Sequence, residues 1–173
     1  FKSLQFNTPC TYAMICNVSK NMYVVYGLDV QGGNVLYTDP FPLTASQTTI
    51  QFNPMPENTP KCTQISASYD GKVVVGLSSN GIYQLSLQKN TSPRPINISS
   101  LPTGNTIASI SVGKSNSDYY IYCTTTSASS ESVYQSDKIP PISPTSTPVT
   151  GTHTSQPVTG THTSQPVTGT HTS

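Results

Sequence analysis

From residue 4 to residue 137 the apolar side chains arrive in short runs rich in Val, Ile, Tyr and Phe. Gly, Asn, Asp or Pro interrupts each run before it reaches the length of a helix, and no stretch sustains a capped helical period. The pattern predicts an all-β chain. The segments "CTYAMICNVSKNMYVVYG" (10–27), "CTQISASYDGKVVVG" (62–76) and "NTIASISVGKSNSDYYIYC" (105–123) each read as strand, turn, strand. A third strand follows each of them, at "NVLYTD" (34–39), "IYQLSL" (82–87) and "SVYQSD" (132–137). "QGG" (31–33) and "SNG" (79–81) supply the tight links of two of these hairpins. Fourth strands are expected at "TTIQFN" (48–53) and "PINIS" (95–99).

The units are evenly spaced: Gly27 and Gly76 are 49 positions apart, Gly76 and Cys123 are 47 apart. Four short strands at this spacing resemble the blades of β-propellers, and "SYDGKVVVGLSSNGIYQLSL" (68–87) carries the resemblance most clearly. The other two units have "SKNM" and "SNSD" where this one has its D-G-K turn, and the chain contains no Trp for a Trp-Asp signature. The resemblance covers residues 1–137 and implies about three four-stranded units, propeller-like or sandwich-like. Their phase is offset. "LQFNTP" (4–9) matches "IQFNPMP" (50–56), so the chain opens on a last strand and closes on a unit that lacks one. Three units are too few for the usual ring of ~4–8 blades. The expected outcomes are a piece of a longer propeller, an open stack of sheets, or an N-terminal strand that completes a neighbouring molecule's sheet and so polymerises the protein.

A boundary is expected at Lys138. Residues 1–138 form the Cys-containing head, 139–147 a Pro-rich linker, and 148–173 a tandem repeat of "PVTGTHTSQ" that breaks off in mid-unit and is expected to continue. Residues 143–173 hold 16 Ser or Thr and 4 Pro, with almost nothing apolar to bury, so they cannot form a core. A period of nine is odd, which flips alternate copies across a β-strand, but it equals three turns of a polyproline II helix. An extended, polyproline-II-like tail is therefore expected, each copy advancing about 28 Å at ~3.1 Å per residue. Hydroxyls fall on all three edges of that rod. The candidate O-glycosylation sites are Thr150, Thr152, Thr154, Ser155, Thr159, Thr161, Thr163, Ser164, Thr168, Thr170 and Thr172. The tail resembles mucin-like and cell-wall Ser/Thr/Pro tandem-repeat glycoproteins, a likeness of composition that implies a sugar-bearing stalk.

Charge deepens this picture. Only 9% of residues are charged, against about 25% in ordinary domains. The 25 Ser and 25 Thr take their place, and attached sugar is the expected source of solubility. A net charge of +1 gives no electrostatic basis for binding nucleic acid, and no apolar run is long enough to span a bilayer. Candidate N-glycosylation sites are Asn17 and Asn90, both at expected turns, and Asn97. Cys10, Cys16, Cys62 and Cys123 are read as two disulfides of open connectivity, the alternative being four buried thiols.

Catalytic and metal constellations are missing from the pattern. The first 150 residues contain no His, Arg94 is the one Arg, and Asp70 in "YDGK" reads as a turn residue. The tyrosines of "YYIY" (119–122) read as packing residues of a strand. His153, His162 and His171 would stand about 28 Å apart along a polyproline II rod, so one chain cannot chelate a metal with them. No enzyme activity and no cofactor are expected. The expected function is that of an extracellular structural glycoprotein, secreted or on the cell surface: a self-associating subunit of a filament or coat, with covalent glycans on its repeat rod. The alternative is an adhesive or carbohydrate-binding head projected on a glycosylated stalk.

Overall fold

The computed structural model describes residues 5–43, 49–88, 91–98, 101, 104–126 and 131–142. These residues are all-β, with no helix among them, and make several small antiparallel sheets. In the first sheet β2 (Cys10–Ser19), β3 (Met22–Asp29), β4 (Val35–Thr38) and β6 (Phe52–Pro54) lie side by side in chain order. The second repeats this meander with β7 (Gln64–Ala67), β8 (Val74–Ser78), β9 (Gly81–Leu85) and β10 (Arg94–Pro95). The third has three strands, β11 (Thr106–Ser115), β12 (Asp118–Thr126) and β13 (Glu131–Gln135). The strands thus fall close to where the pattern of the sequence puts them, except for the two expected fourth strands: the one expected at 95–99 is the short β10 at Arg94–Pro95, and the other is split. The expected fourth strand at 48–53 changes partner at Gln51. Its first half, β5 (Thr49–Ile50), pairs in parallel with β1 (Gln5–Phe6), and only its second half, β6, pairs with β4.

Side-chain alternation explains how the sheets meet. Along β3, Val24, Tyr26 and Leu28 join Cys16, Ile65, Val74 and Leu85 in a core between the first and second sheets. Val75, Leu77 and Ile82 point to the other side of the second sheet and pack with Ile110, Tyr119 and Ile121 of the third. The second sheet is therefore covered on both faces, which is why "VVVGL" (73–77) reads as an unbroken apolar run. A third cluster lies on the far side of the first sheet, where Phe6 of β1 stacks on Phe52 at 4.8 Å between ring centroids and Val25, Leu36 and Phe41 surround them. The side chain of Asn7 accepts a hydrogen bond from Phe52 N at 2.7 Å. These contacts hold the N-terminal strand against the first sheet, not at the edge of the third.

Two local devices recur. In the first and second units a cysteine sulfur occupies the space above a glycine of the next strand. A Cβ on Gly27 would lie 2.8 Å from Cys10 Sγ, and one on Gly76 would run into Cys62 Sγ. Each thiol is also directed at the carbonyl two residues back, Thr8 O at 3.8 Å and Pro60 O at 3.2 Å. The second device is a bulge at the end of the third strand. Between the pairs Tyr26–Tyr37 and Tyr23–Phe41, two residues (Val24, Val25) oppose three (Thr38, Asp39, Pro40). Between Tyr122–Gln135 and Tyr119–Ile139, Tyr120 and Ile121 oppose Ser136, Asp137 and Lys138 in the same way. At both places a hydroxyl replaces the missing carbonyl: Thr38 Oγ1 accepts from Val25 N and Ser136 Oγ accepts from Ile121 N, each at 2.9 Å.

Beyond the second bulge the chain stays attached. Ile139 is buried in the core between the second and third sheets, and Gln84 Nε2 donates to Pro140 O at 2.8 Å. Pro141 and Ile142 then line a crevice of about 500 Å³ together with Tyr26 and Leu85.

Candidate functional site: an open edge and face on the third sheet

The third sheet is built on the long β11–β12 hairpin, which turns at Asn116 with φ 55°, a left-handed conformation that Asn tolerates. One face of it is the buried core face. The register puts Ser111 and Gly113 of β11, Tyr120, Tyr122 and Thr124 of β12, and Val133 of β13 on the other. Here Val133 is 70% exposed and Tyr122 36%. The Tyr122 ring lies over Gly113, where a Cβ would stand 2.6 Å from a ring carbon, and Ser109 and Thr124 share a 2.7 Å hydroxyl–hydroxyl bond. It is a surface of hydroxyls and aromatic rings with almost no charge.

Where the first two sheets have a fourth strand, the third ends on β13. Among the described residues none pairs with its outer edge. Ser136 N points inward, to Ile121 O at 2.8 Å, so alternation turns the N–H groups of Val133 and Gln135 outward. Exposed edges are usually blunted by Lys, Pro or an inward charge. The five residues of β13 carry one charge, Glu131, at the entry to the strand.

The third sheet is fastened to the second by a polar clasp. Asp70, in the β7–β8 turn, accepts hydrogen bonds from Lys114 Nζ (2.8 Å), Tyr119 Oη (2.7 Å), Ser68 Oγ (2.7 Å) and Lys72 N (3.3 Å). Burial disfavours the charge on Asp70, but these bonds outweigh it and hold the carboxyl well below the usual carboxylate range. The bond to Asp70 in turn pushes Lys114 up. Lys114 Nζ also sits 5.2 Å from the Tyr69 ring centroid and 5.3 Å from that of Tyr119. Asp70 is thus a turn residue, as its D-G-K setting suggests, and also the link to β11 and β12, which local sequence does not reveal.

The other residues singled out in the sequence are dispersed. Asn17 is exposed but lies inside β2, paired with Tyr23, and not in a turn. Asn97 is exposed, and Asn90 lies outside the described residues, as do all eleven O-glycosylation candidates from Thr150 to Thr172. The four cysteines are free thiols, with no sulfur bonded to another. Cys16 and Cys62 belong to the core between the first two sheets, Cys123 to the next core, and Cys10 to the edge of the outer cluster. Burial pushes the Cys16 and Cys62 thiols up to about 11 and those of Cys10 and Cys123 upward. Among the described residues no three of His, Cys, Asp and Glu come together, and no helix is long and apolar enough to cross a membrane. Comparisons of the chain with protein-family models, curated proteins and solved structures find no match.

Proposed function

We propose that this chain is a non-enzymatic, extracellular structural glycoprotein, a subunit of a surface filament or coat. The head is an arc of three propeller-like blades, and the repeat that follows is an O-glycosylated, extended rod. The observation that carries the reading is the edge of β13: a fourth-strand position that is filled in two sheets and that no described residue fills in the third, beside an exposed Val133. Another molecule's strand added there would satisfy its outward N–H and C=O groups. The scarcity of charge and the hydroxyl-rich repeat support the glycan half of the reading.

Assembly of the native chain and of Val133→Lys, measured by light scattering after size exclusion, tests the first half. The variant places a charge on the edge without touching the core. Oligomers in the native protein that Val133→Lys converts to folded monomers support the proposal; a native protein that stays monomeric at all concentrations overturns it. Intact mass tests the second half. A native mass equal to the 18.5 kDa of the bare chain removes the glycan.

A further inference from the structure

A crevice of about 460 Å³ opens where the first strands of all three sheets converge. β2 contributes Thr11 and Tyr12, Thr63 and Gln64 come from the start of β7, and β11 contributes Ser109. The floor is apolar, made of Leu28, Ile65 and Ile110, and none of the lining residues is charged. The volume falls within the ~300–1,000 Å³ of small-molecule clefts, which combine an apolar lining with a few placed polar groups.

The walls are fixed. The Gln64 amide spans the seam between the second and third sheets, with Nε2 donating to Ala108 O at 2.6 Å and Oε1 accepting from Ile110 N at 3.3 Å. The register of β11 slips between Ile107 and Ser109, a bulge that re-aims the Ser109 side chain. Tyr12 is 48% exposed, and its hydroxyl has no partner among the described residues. Thr11 and Thr63 spend their protons on Leu28 O and Leu77 O, at 3.5 and 3.3 Å, and keep lone pairs to accept with. Whichever way the proton of its bond to Thr124 lies, Ser109 Oγ keeps a lone pair to accept with.

From this arrangement we infer that the crevice binds a neutral carbohydrate. A sugar ring offers an apolar face for Tyr12 and hydroxyls that both donate and accept, matching the rim. The absence of charge in the lining disfavours phosphates, carboxylates and cations alike. The lining residues lie on or beside the first two strands of the first sheet and the first strands of the second and third, and none of them is on β13, so the inference does not depend on the assembly proposed above.

The test is a titration of the full-length ¹⁵N-labelled chain with methyl glycosides of glucose, galactose and mannose and with N-acetylglucosamine and N-acetylgalactosamine. At least one sugar should give saturable shifts at the amides of Thr11, Tyr12, Gln64 and Ser109. Tyr12→Ala should weaken that sugar about tenfold or more, with Tyr12→Phe keeping most of the affinity. Ser109→Lys, which obstructs the mouth from an exposed position, should abolish the shifts. No saturable shift at these amides with any of the sugars, shifts confined to other residues, or undiminished binding by both Tyr12→Ala and Ser109→Lys would each overturn the inference.

Discussion

Replacing Thr38 by Val isolates the bulge device in a single atom exchange. The two side chains are nearly equal in volume, so the change opens no cavity. It removes the acceptor that meets Val25 N at the point where two residues oppose three. Both residues are buried, Thr38 at 2% and Val25 at 3% exposure, so water cannot substitute. A buried amide left without a partner costs about 1–3 kcal/mol. For a head of this size each kcal/mol lowers Tm by roughly 2–4 °C, so a loss of about 2 kcal/mol corresponds to about 4–8 °C. The assay is urea unfolding followed by far-ultraviolet circular dichroism, combined with hydrogen exchange at the Val25 amide. Thr38→Ser keeps the acceptor and loses one methyl, about 0.8 kcal/mol. It should therefore keep Val25 protected, and Thr38→Val should not. A Thr38→Val protein with an unchanged urea midpoint and a Val25 amide as protected as before would refute the reasoning. Ser136→Ala should repeat the effect at Ile121 N more weakly, because Ser136 is only half-buried.

The folded carboxyl of Asp70 is held below its unfolded value, so its contribution is present above about pH 4 and lost as pH falls through the folded pKa. Asp70→Asn should accordingly be destabilised at pH 7, and the gap to the parent should close below about pH 4, as urea midpoints across pH will show. Gly76→Ala drives a methyl into Cys62 Sγ and should cost about 1–3 kcal/mol in thermal or urea unfolding. Adding Cys62→Ala should recover part of that loss. With their thiols near pH 11, Cys16 and Cys62 should resist a thiol reagent at pH 8 in the folded protein. All four cysteines should then label in denaturant without reductant; fewer than four would show that the native protein has formed disulfides.

The strands were legible because their signal is local. "DGK", "SNG" and "QGG" punctuate the hairpins. The repeat was legible too, and the structure supplies a reason for part of it: Cys10 with Gly27 and Cys62 with Gly76 align because in each pair the sulfur needs the room that the glycine leaves. "YTDPFP" (37–42) and "QSDKIP" (135–140) already carried the bulge in the sequence, as a hydroxyl, an Asp and an apolar residue before Pro, with nothing to say that the hydroxyl would receive a backbone N–H. The split of the strand at Gln51 was hidden because its cause, the stacking of Phe6 on Phe52, spans 46 positions. For the same reason the Asp70 clasp and the crevice were invisible. Lys114 reaches back 44 positions to Asp70, and Thr11, Gln64 and Ser109 meet only after three sheets have stacked.

The way the chain leaves the head has a mechanical meaning. Past β13 it does not simply run off into the repeat. Ile139 pairs with Tyr119, the Gln84 amide holds Pro140, and Pro141 and Ile142 lie along the crevice between the first two sheets. Tension applied from the C-terminal side must pull free an anchor shared by all three sheets before it can peel the short outer strand. In the filament proposed above, that order of failure would protect the β13 edge from the load that assembly creates.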